Sequence, residues 1–190
     1  MNFELHITVK PEQAAELAQF ATKVGGKALY IKLEASVDNI PLFSVQPMLT
    51  VKFERNDMPL ENGTSYLAEQ QAQQMLAVYL RKMEESCLTV VRAKLETTFN
   101  SDLKPEAYAY HEAHFKYERP LTNTILSLAK SIELFDYERG QVYGTLRHQN
   151  PLQFKANVDK VLFALKDVLK KHHSETVLID TNPYLDKGWI

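Results

Sequence analysis

The sequence predicts an α+β fold of two similar halves, residues 1–99 and 107–190, each an antiparallel sheet with helices on one face and a polar groove on the other. Three observations point to it. Stretches that alternate apolar and polar residues are interleaved with stretches whose apolar residues recur every three or four positions. Proline and glycine punctuate the change from one period to the other, at Pro11, Gly25-Gly26, Pro120, Gly140 and Pro151. The string Glu4-Leu5-His6 near the start is echoed by Glu112-Ala113-His114 in the second half, each on an alternating stretch that leads through a proline into a helix.

Residues 3–10 alternate and predict a half-buried strand. Pro11 opens a helix, since proline suits the first helical position; Ala14, Leu17, Ala18, Ala21 and Val24 fall on one face, and Gly25-Gly26 stop it as left-handed caps do. A strand is expected at 28–34, a loop with two prolines at 35–47, and a third strand at 48–55. After the turn cluster Asn56–Gly63 a helix runs from Ser65 to Glu85 with Leu67, Ala68, Ala72, Met75, Leu76, Tyr79, Leu80 and Met83 on one side. A strand at 88–97 closes the half. The order β-α-β-β-α-β is the ferredoxin-like pattern.

The second half predicts a strand at 108–118, a helix from Leu121 to Phe135, a strand at 141–148, a helix capped by Asn150 with Pro151 at its first position, and a strand at 175–180. Phe154, Val158, Val161, Leu162, Leu165, Val168 and Leu169 form that last helix's apolar face, and Lys170-Lys171-His172-His173 read as its final turn, where positive charge complements the helix dipole. This half is β-α-β-α-β, with one strand missing or hidden.

The chain's 190 residues are 45% hydrophobic and 24% charged, enough for a substantial core and too apolar for a disordered chain. With 22 basic against 24 acidic residues the net charge is -2, which excludes a general nucleic-acid binder. The single cysteine, Cys87, rules out an internal disulfide and a cysteine-based zinc site, and it is expected to be buried. The N-terminus lacks the basic and apolar regions of a signal peptide, and no stretch approaches the ~18–20 apolar residues of a membrane helix. A cytoplasmic protein with no membrane partner is expected.

Strand side chains alternate, so each predicted strand divides into two faces. Phe3, Leu5, Ile7, Val9, Leu29, Ile31, Leu33, Val51, Phe53, Val91, Ala93, Leu95, Ala113, Phe115 and Tyr117 form the face for the helices. Glu4, His6, Thr8, Tyr30, Lys32, Glu34, Thr50, Lys52, Arg92, Lys94, Glu96, Glu112, His114, Lys116, Tyr143, Thr145 and Arg147 fall on the other. Cross-strand Lys–Glu pairs on a solvated sheet account for much of this pattern. The paired histidines ask for more. Two imidazoles can share the acid and base duties of phosphoester chemistry, and Lys32, Lys52, Arg92, Lys94 and Arg147, with Tyr143, would draw in a small anionic or phosphorylated substrate. His111 is expected to point to the helix-covered face, and His148 and His172-His173 to lie at the surface or cap helices.

Leu5-His6-Ile7-Thr8-Val9 resembles the H-x-T/S motif of the two-histidine phosphoesterases, the family that includes RNA 2′,3′-cyclic phosphodiesterases. The resemblance implies a hydrolase of duplicated α+β architecture that needs no cofactor. His6 and His114 would be its catalytic acid and base, and Thr8 and Lys116 would hold the phosphate. The second motif departs from the family, since His114-Phe115-Lys116 has lysine where the family has Thr or Ser; His172-His173-Ser174 matches in letters but falls at a predicted helix end. A second reading is a metalloenzyme holding a divalent metal with Glu4, His6, Glu112 and His114; two paired half-domains sharing one metal resemble the vicinal-oxygen-chelate enzymes, whose ligands are spread over more than the opening strands. The run Glu112-x-His114-x-Lys116 is also similar to the E-x-E-x-K of triphosphate tunnel enzymes. A third reading is an anion- or peptide-binding module without catalysis. There is no P-loop, dinucleotide-binding glycine pattern, H-E-x-x-H or G-x-S-x-G.

Overall fold

The structure, a computed structural model, describes residues 2–37, 40–54, 64–103, 108–117, 132–136 and 141–181. Its strands are β1 (Asn2–Val9), β2 (Lys27–Val37), β3 (Ile40–Glu54), β4 (Val90–Thr98), β5 (Tyr110–Tyr117), β6 (Ile132–Asp136), β7 (Gln141–His148) and β8 (Leu169–Asp180). The described helices are α1 (Ala14–Val24), entered through a 3-10 turn at Pro11–Gln13, α2 (Thr64–Glu85) and α3 (Pro151–Leu165). The fold is α+β and ferredoxin-like in both halves. Strands of the first half neighbour one another in the order β4-β1-β3-β2, and those of the second in the order β8-β5-β7-β6, which is the same order in each half's own count.

By contacts the chain forms two compact units. Unit 1 comprises Met1–Ile31, Val45–Thr98 and Val177–Pro183, and unit 2 comprises Lys32–Ser44, Phe99–Thr176 and Tyr184–Ile190. In unit 1, β1 pairs antiparallel with β3 on one side and β4 on the other. Phe3, Leu5, Ile7 and Val9 are buried, with Leu49 and Val51 of β3 and Ala93 and Leu95 of β4. Ala72, Leu76, Tyr79 and Met83 of α2 are buried at the spacing of one helix face. Val91 departs from the expected alternation and is 47% exposed. The pairing of β1 with β4 shifts between Thr8 and Val9, so Val91 is the extra residue of a bulge.

Gly25 ends α1 in the left-handed conformation, with φ at 67°. Gly26 is needed for a different reason: a Cβ there would stand 2.7 Å from Leu49 Cδ1, where the chain passes close over β3.

Unit 2 is built around α3. Its Asn150 cap accepts from the amides of Leu152 and Gln153, with Pro151 in the first turn, as the sequence predicts. Phe154, Val158, Val161 and Leu165 pack on Ala113, Phe115 and Tyr117 of β5 and Leu146 of β7. Each such phenylalanine, leucine or valine side chain contributes about 1.5–3 kcal/mol through burial.

Four other features differ from the sequence expectation. The loop expected at 35–47 is strand: β2 extends to Val37 and β3 begins at Ile40, so Pro41 and Pro47 lie within β3. The helix expected from Leu121 to Phe135 lies outside the described residues up to 131, and its end, from Ile132, is strand β6, paired antiparallel with β7; this is the hidden strand of the second half. α3 stops at Leu165, and Lys170-Lys171-His172-His173 belong to β8 rather than a helix end. Cys87, expected to be buried, is exposed.

Candidate functional site

Glu4 and His6 stand on the polar side of β1, directly across from Lys52 and Thr50 of β3. His6 Nδ1 lies 3.2 Å from Thr50 Oγ1, and His6 Nε2 lies 3.4 Å from Glu4 Oε1 and 3.0 Å from Glu96 Oε2. A carboxylate only accepts, so this arrangement places the ring proton on Nε2 and leaves Nδ1 to accept from the threonine hydroxyl. Glu4 also holds Lys52 at 2.7 Å, and Glu96 holds Lys94.

Unit 2 repeats the arrangement. Glu112 and His114 of β5 face Arg147 and Thr145 of β7. His114 Nδ1 is 3.0 Å from Thr145 Oγ1 and its Nε2 is 2.7 Å from Glu112 Oε1, while the other oxygen of Glu112 takes the Arg147 guanidinium. β8 supplies the counterpart of the Lys94-x-Glu96 pair: Glu175 lies 3.9 Å from His114 Nε2, and His173 Nε2 is 3.5 Å from Glu175 Oε1. The His114 and His173 rings are 5.0 Å apart between centroids.

Six polar positions therefore recur, the first four in matching cross-strand register and the last two by their contacts: Glu4, His6, Thr50, Lys52, Lys94 and Glu96 in unit 1, and Glu112, His114, Thr145, Arg147, His173 and Glu175 in unit 2. The substitution at the fifth position, lysine for histidine, is a change of chemistry. Strand alternation marks all six positions of unit 1 and the first four of unit 2, and misses His173 and Glu175. The signal that could have found them is the string His173-Ser174-Glu175 set against Lys94-Leu95-Glu96.

Four of the cations expected to attract an anion, Lys52, Arg92, Lys94 and Arg147, are each engaged by a carboxylate. Arg92 makes two hydrogen bonds to Asp180, at 2.9 and 2.6 Å, and the Asp180 side chain is fully buried. Lys94 is bound to buried Glu96, and Arg147 to buried Glu112. Lys52 is the exception in setting, since its side chain is 75% exposed and its pair with Glu4 is solvated and exchangeable. Thr8 is buried and Lys116 half-buried. The side chains of Lys32 and Tyr143 fall outside the described set. Of the four donors expected to share one metal, Glu4 and His6 belong to unit 1 and Glu112 and His114 to unit 2, each pair engaged within its own unit.

His111 and His172 are structural in setting. His111 is fully buried against the rings of Phe99, Tyr108 and Phe154, as its predicted face requires. Its Nδ1 lies 3.1 Å from Thr176 Oγ1, and burial, reinforced by the charge of His148, lowers its pKa to about 4. His172 stacks on Phe115 at 5.3 Å, and burial lowers its pKa as well.

No protein-family model matches the chain, and no curated protein matches it significantly in sequence. Among the described residues no helix is long and apolar enough to cross a membrane. Among solved structures, an acetolactate synthase small subunit from Thermotoga maritima is similar over 95% of this chain and 96% of that one, at 12% identity and a TM-score of 0.30; at that score nothing about activity follows from the likeness.

Proposed function

We propose that the chain is a phosphoesterase-like enzyme for a small anionic or phosphorylated substrate, with His6 as its proton carrier. The observation that supports this reading is the setting of the ring: a hydroxyl on Nδ1, carboxylates on Nε2, and a side chain still 18% exposed. A second proton taken up at Nδ1, which then donates to Thr50 Oγ1, makes an imidazolium held by the carboxylates. It passes its Nε2 proton to the leaving oxygen, stays as the Nδ1–H tautomer on Thr50, and regains the proton from water. Glu96 is buried and stays on the ring, whereas the longer Glu4 contact is the one that yields to a substrate oxygen. Lys52, whose exposed pair with Glu4 is then released, supplies the positive charge for the phosphate. Arg92 and Lys94 act instead by holding the carboxylates Asp180 and Glu96 in place.

The test is turnover of a panel of phosphomonoesters, phosphodiesters and 2′,3′-cyclic nucleotides. Wild type should hydrolyse at least one of them, His6→Gln should lose about 10²–10⁴ of that rate, and Lys52→Ala should raise KM more than it lowers kcat. Wild type inert across the whole panel would overturn the reading.

A further inference from the structure

The two units differ at one position of their shared polar set, and the difference points to a ligand. In unit 1 the residue two before the fourth-strand glutamate is Lys94, whose ammonium sits on Glu96. In unit 2 it is His173, an imidazole that carries no fixed charge and can ligate through nitrogen. Ligand atoms of His114, His173 and Glu175 all lie within 4.8 Å of one another. Two imidazoles and a carboxylate, drawn from neighbouring strands, are a donor set for a divalent transition metal.

We propose that unit 2 binds one such ion, of the zinc or iron(II) kind, through His114, His173 and Glu175. Hard ions such as magnesium and calcium prefer all-oxygen shells, so the two imidazoles select against them. The spacing is close to what is needed: His114 Nε2 is 3.9 Å and His173 Nε2 3.5 Å from the two oxygens of Glu175. Small side-chain rotations close these gaps to an ion whose bonds are about 2.0–2.2 Å long. The outer contacts also fit. With Nε2 on the metal, His114 takes the Nδ1–H tautomer and donates to Thr145 Oγ1, already 3.0 Å away, the outer-shell hydrogen bond that metal-bound histidines require. His114 gives up its Nε2 proton to Nδ1 by this tautomer change, so no proton need leave the protein. The Glu112 carboxylate, 2.7 Å from Nε2, is freed to become a fourth donor or to stay on Arg147. His173 is 47% exposed on its side chain, so the ion has an entry path from solvent.

The inference goes beyond the proton chemistry of His6, and its readout is binding rather than turnover, so either can fail alone. The experiment titrates the full-length chain with Zn²⁺ by calorimetry and with Co²⁺ by visible absorption, with unfolding curves in metal-free buffer for every variant. Wild type should take up one ion per chain, with a Co²⁺ spectrum of mixed nitrogen and oxygen ligation and no competition from Mg²⁺. His173→Lys, which copies unit 1, and the isosteric Glu175→Gln should each bind at least about tenfold more weakly, and Thr145→Val about 10–100-fold more weakly. His6→Gln should bind as wild type does. Lack of binding by wild type, or affinity unchanged in both His173→Lys and Glu175→Gln, would overturn the proposal. Where one of those two variants fails to fold in metal-free buffer, the other and Thr145→Val decide.

Discussion

Lys94 and His173 occupy matching places in the two units, each two residues before a glutamate that reaches the first-strand histidine: Glu96 at 3.0 Å from His6 and Glu175 at 3.9 Å from His114. The lysine supplies unit 1 with a built-in cation. Lys94→His should remove that cation and give unit 1 the donors of unit 2, raising the number of Zn²⁺ ions bound per chain from one to two. Calorimetric stoichiometry checks it, and a variant that still binds one ion would show that the two sets are alike only in sequence.

His111 makes stability sensitive to acid. Its ring takes up a proton near pH 6.5 in the unfolded chain but only at about 4 in the fold, because burial penalises the charged ring. The unfolded state therefore binds more protons between these values. The stability gained by keeping the ring neutral is complete above pH 6.5 and is lost as pH falls toward about 4, with roughly 3 kcal/mol as the upper bound. His111→Phe should be less stable than wild type at neutral pH, having lost the contact with Thr176, yet lose less on acidification. Urea unfolding across that pH range measures both slopes, and parallel curves would contradict the assignment.

Arg92 is predicted to matter for stability rather than for ligand capture. Its two hydrogen bonds to Asp180 neutralise a carboxylate whose side chain is fully buried. Arg92→Ala removes the two-pronged partner of that buried charge and should cost about 3 kcal/mol. Arg92→Ala with Asp180→Leu should recover most of the loss, which chemical denaturation of the single and double variants will show.

Cys87 sits at the end of α2 with φ at 57°, a left-handed conformation that costs a residue with a side chain. The amides of Cys87 and Leu88 reach back to the carbonyls of Glu84 and Met83 at 2.9 Å, the bonding of a Schellman cap, so the conformation is imposed by the helix end. Cys87→Gly should stabilise the protein by about 0.5–1 kcal/mol, seen as a higher unfolding midpoint.

What could be read from the sequence was set by local periodicity. β1, α1, α2 and the Asn150-Pro151 cap each declare themselves within a few residues, and the alternation of β1, β3, β5 and β7 places Glu4, His6, Thr50, Lys52, Glu112, His114, Thr145 and Arg147 on one face. The failures have equally local causes. Pro41 and Pro47 look like loop markers, but β3 accommodates both. Val168 and Leu169 continue the helical period of Leu165, and four basic residues after them mimic a helix end. That coincidence hid the start of β8 and with it His173, so that Glu175, the first residue of the expected strand, stood without its partner. Ion pairing is the other thing a sequence conceals: the alternation of Lys and Glu on one face does not reveal that Arg92, Lys94 and Arg147 are each committed to a buried carboxylate.

Both first-strand histidines are held the same way, with a threonine hydroxyl on Nδ1 and a carboxylate on Nε2. Long-range ¹H–¹⁵N correlation spectra of the metal-free protein, assigned with His6→Gln and His114→Gln, report the tautomer of each ring directly. Both His6 and His114 are expected as the Nε2–H tautomer, with Thr50→Val and Thr145→Val each perturbing only its own ring. An Nδ1–H tautomer at either position, or the averaged signal of a freely exchanging ring, would contradict this arrangement.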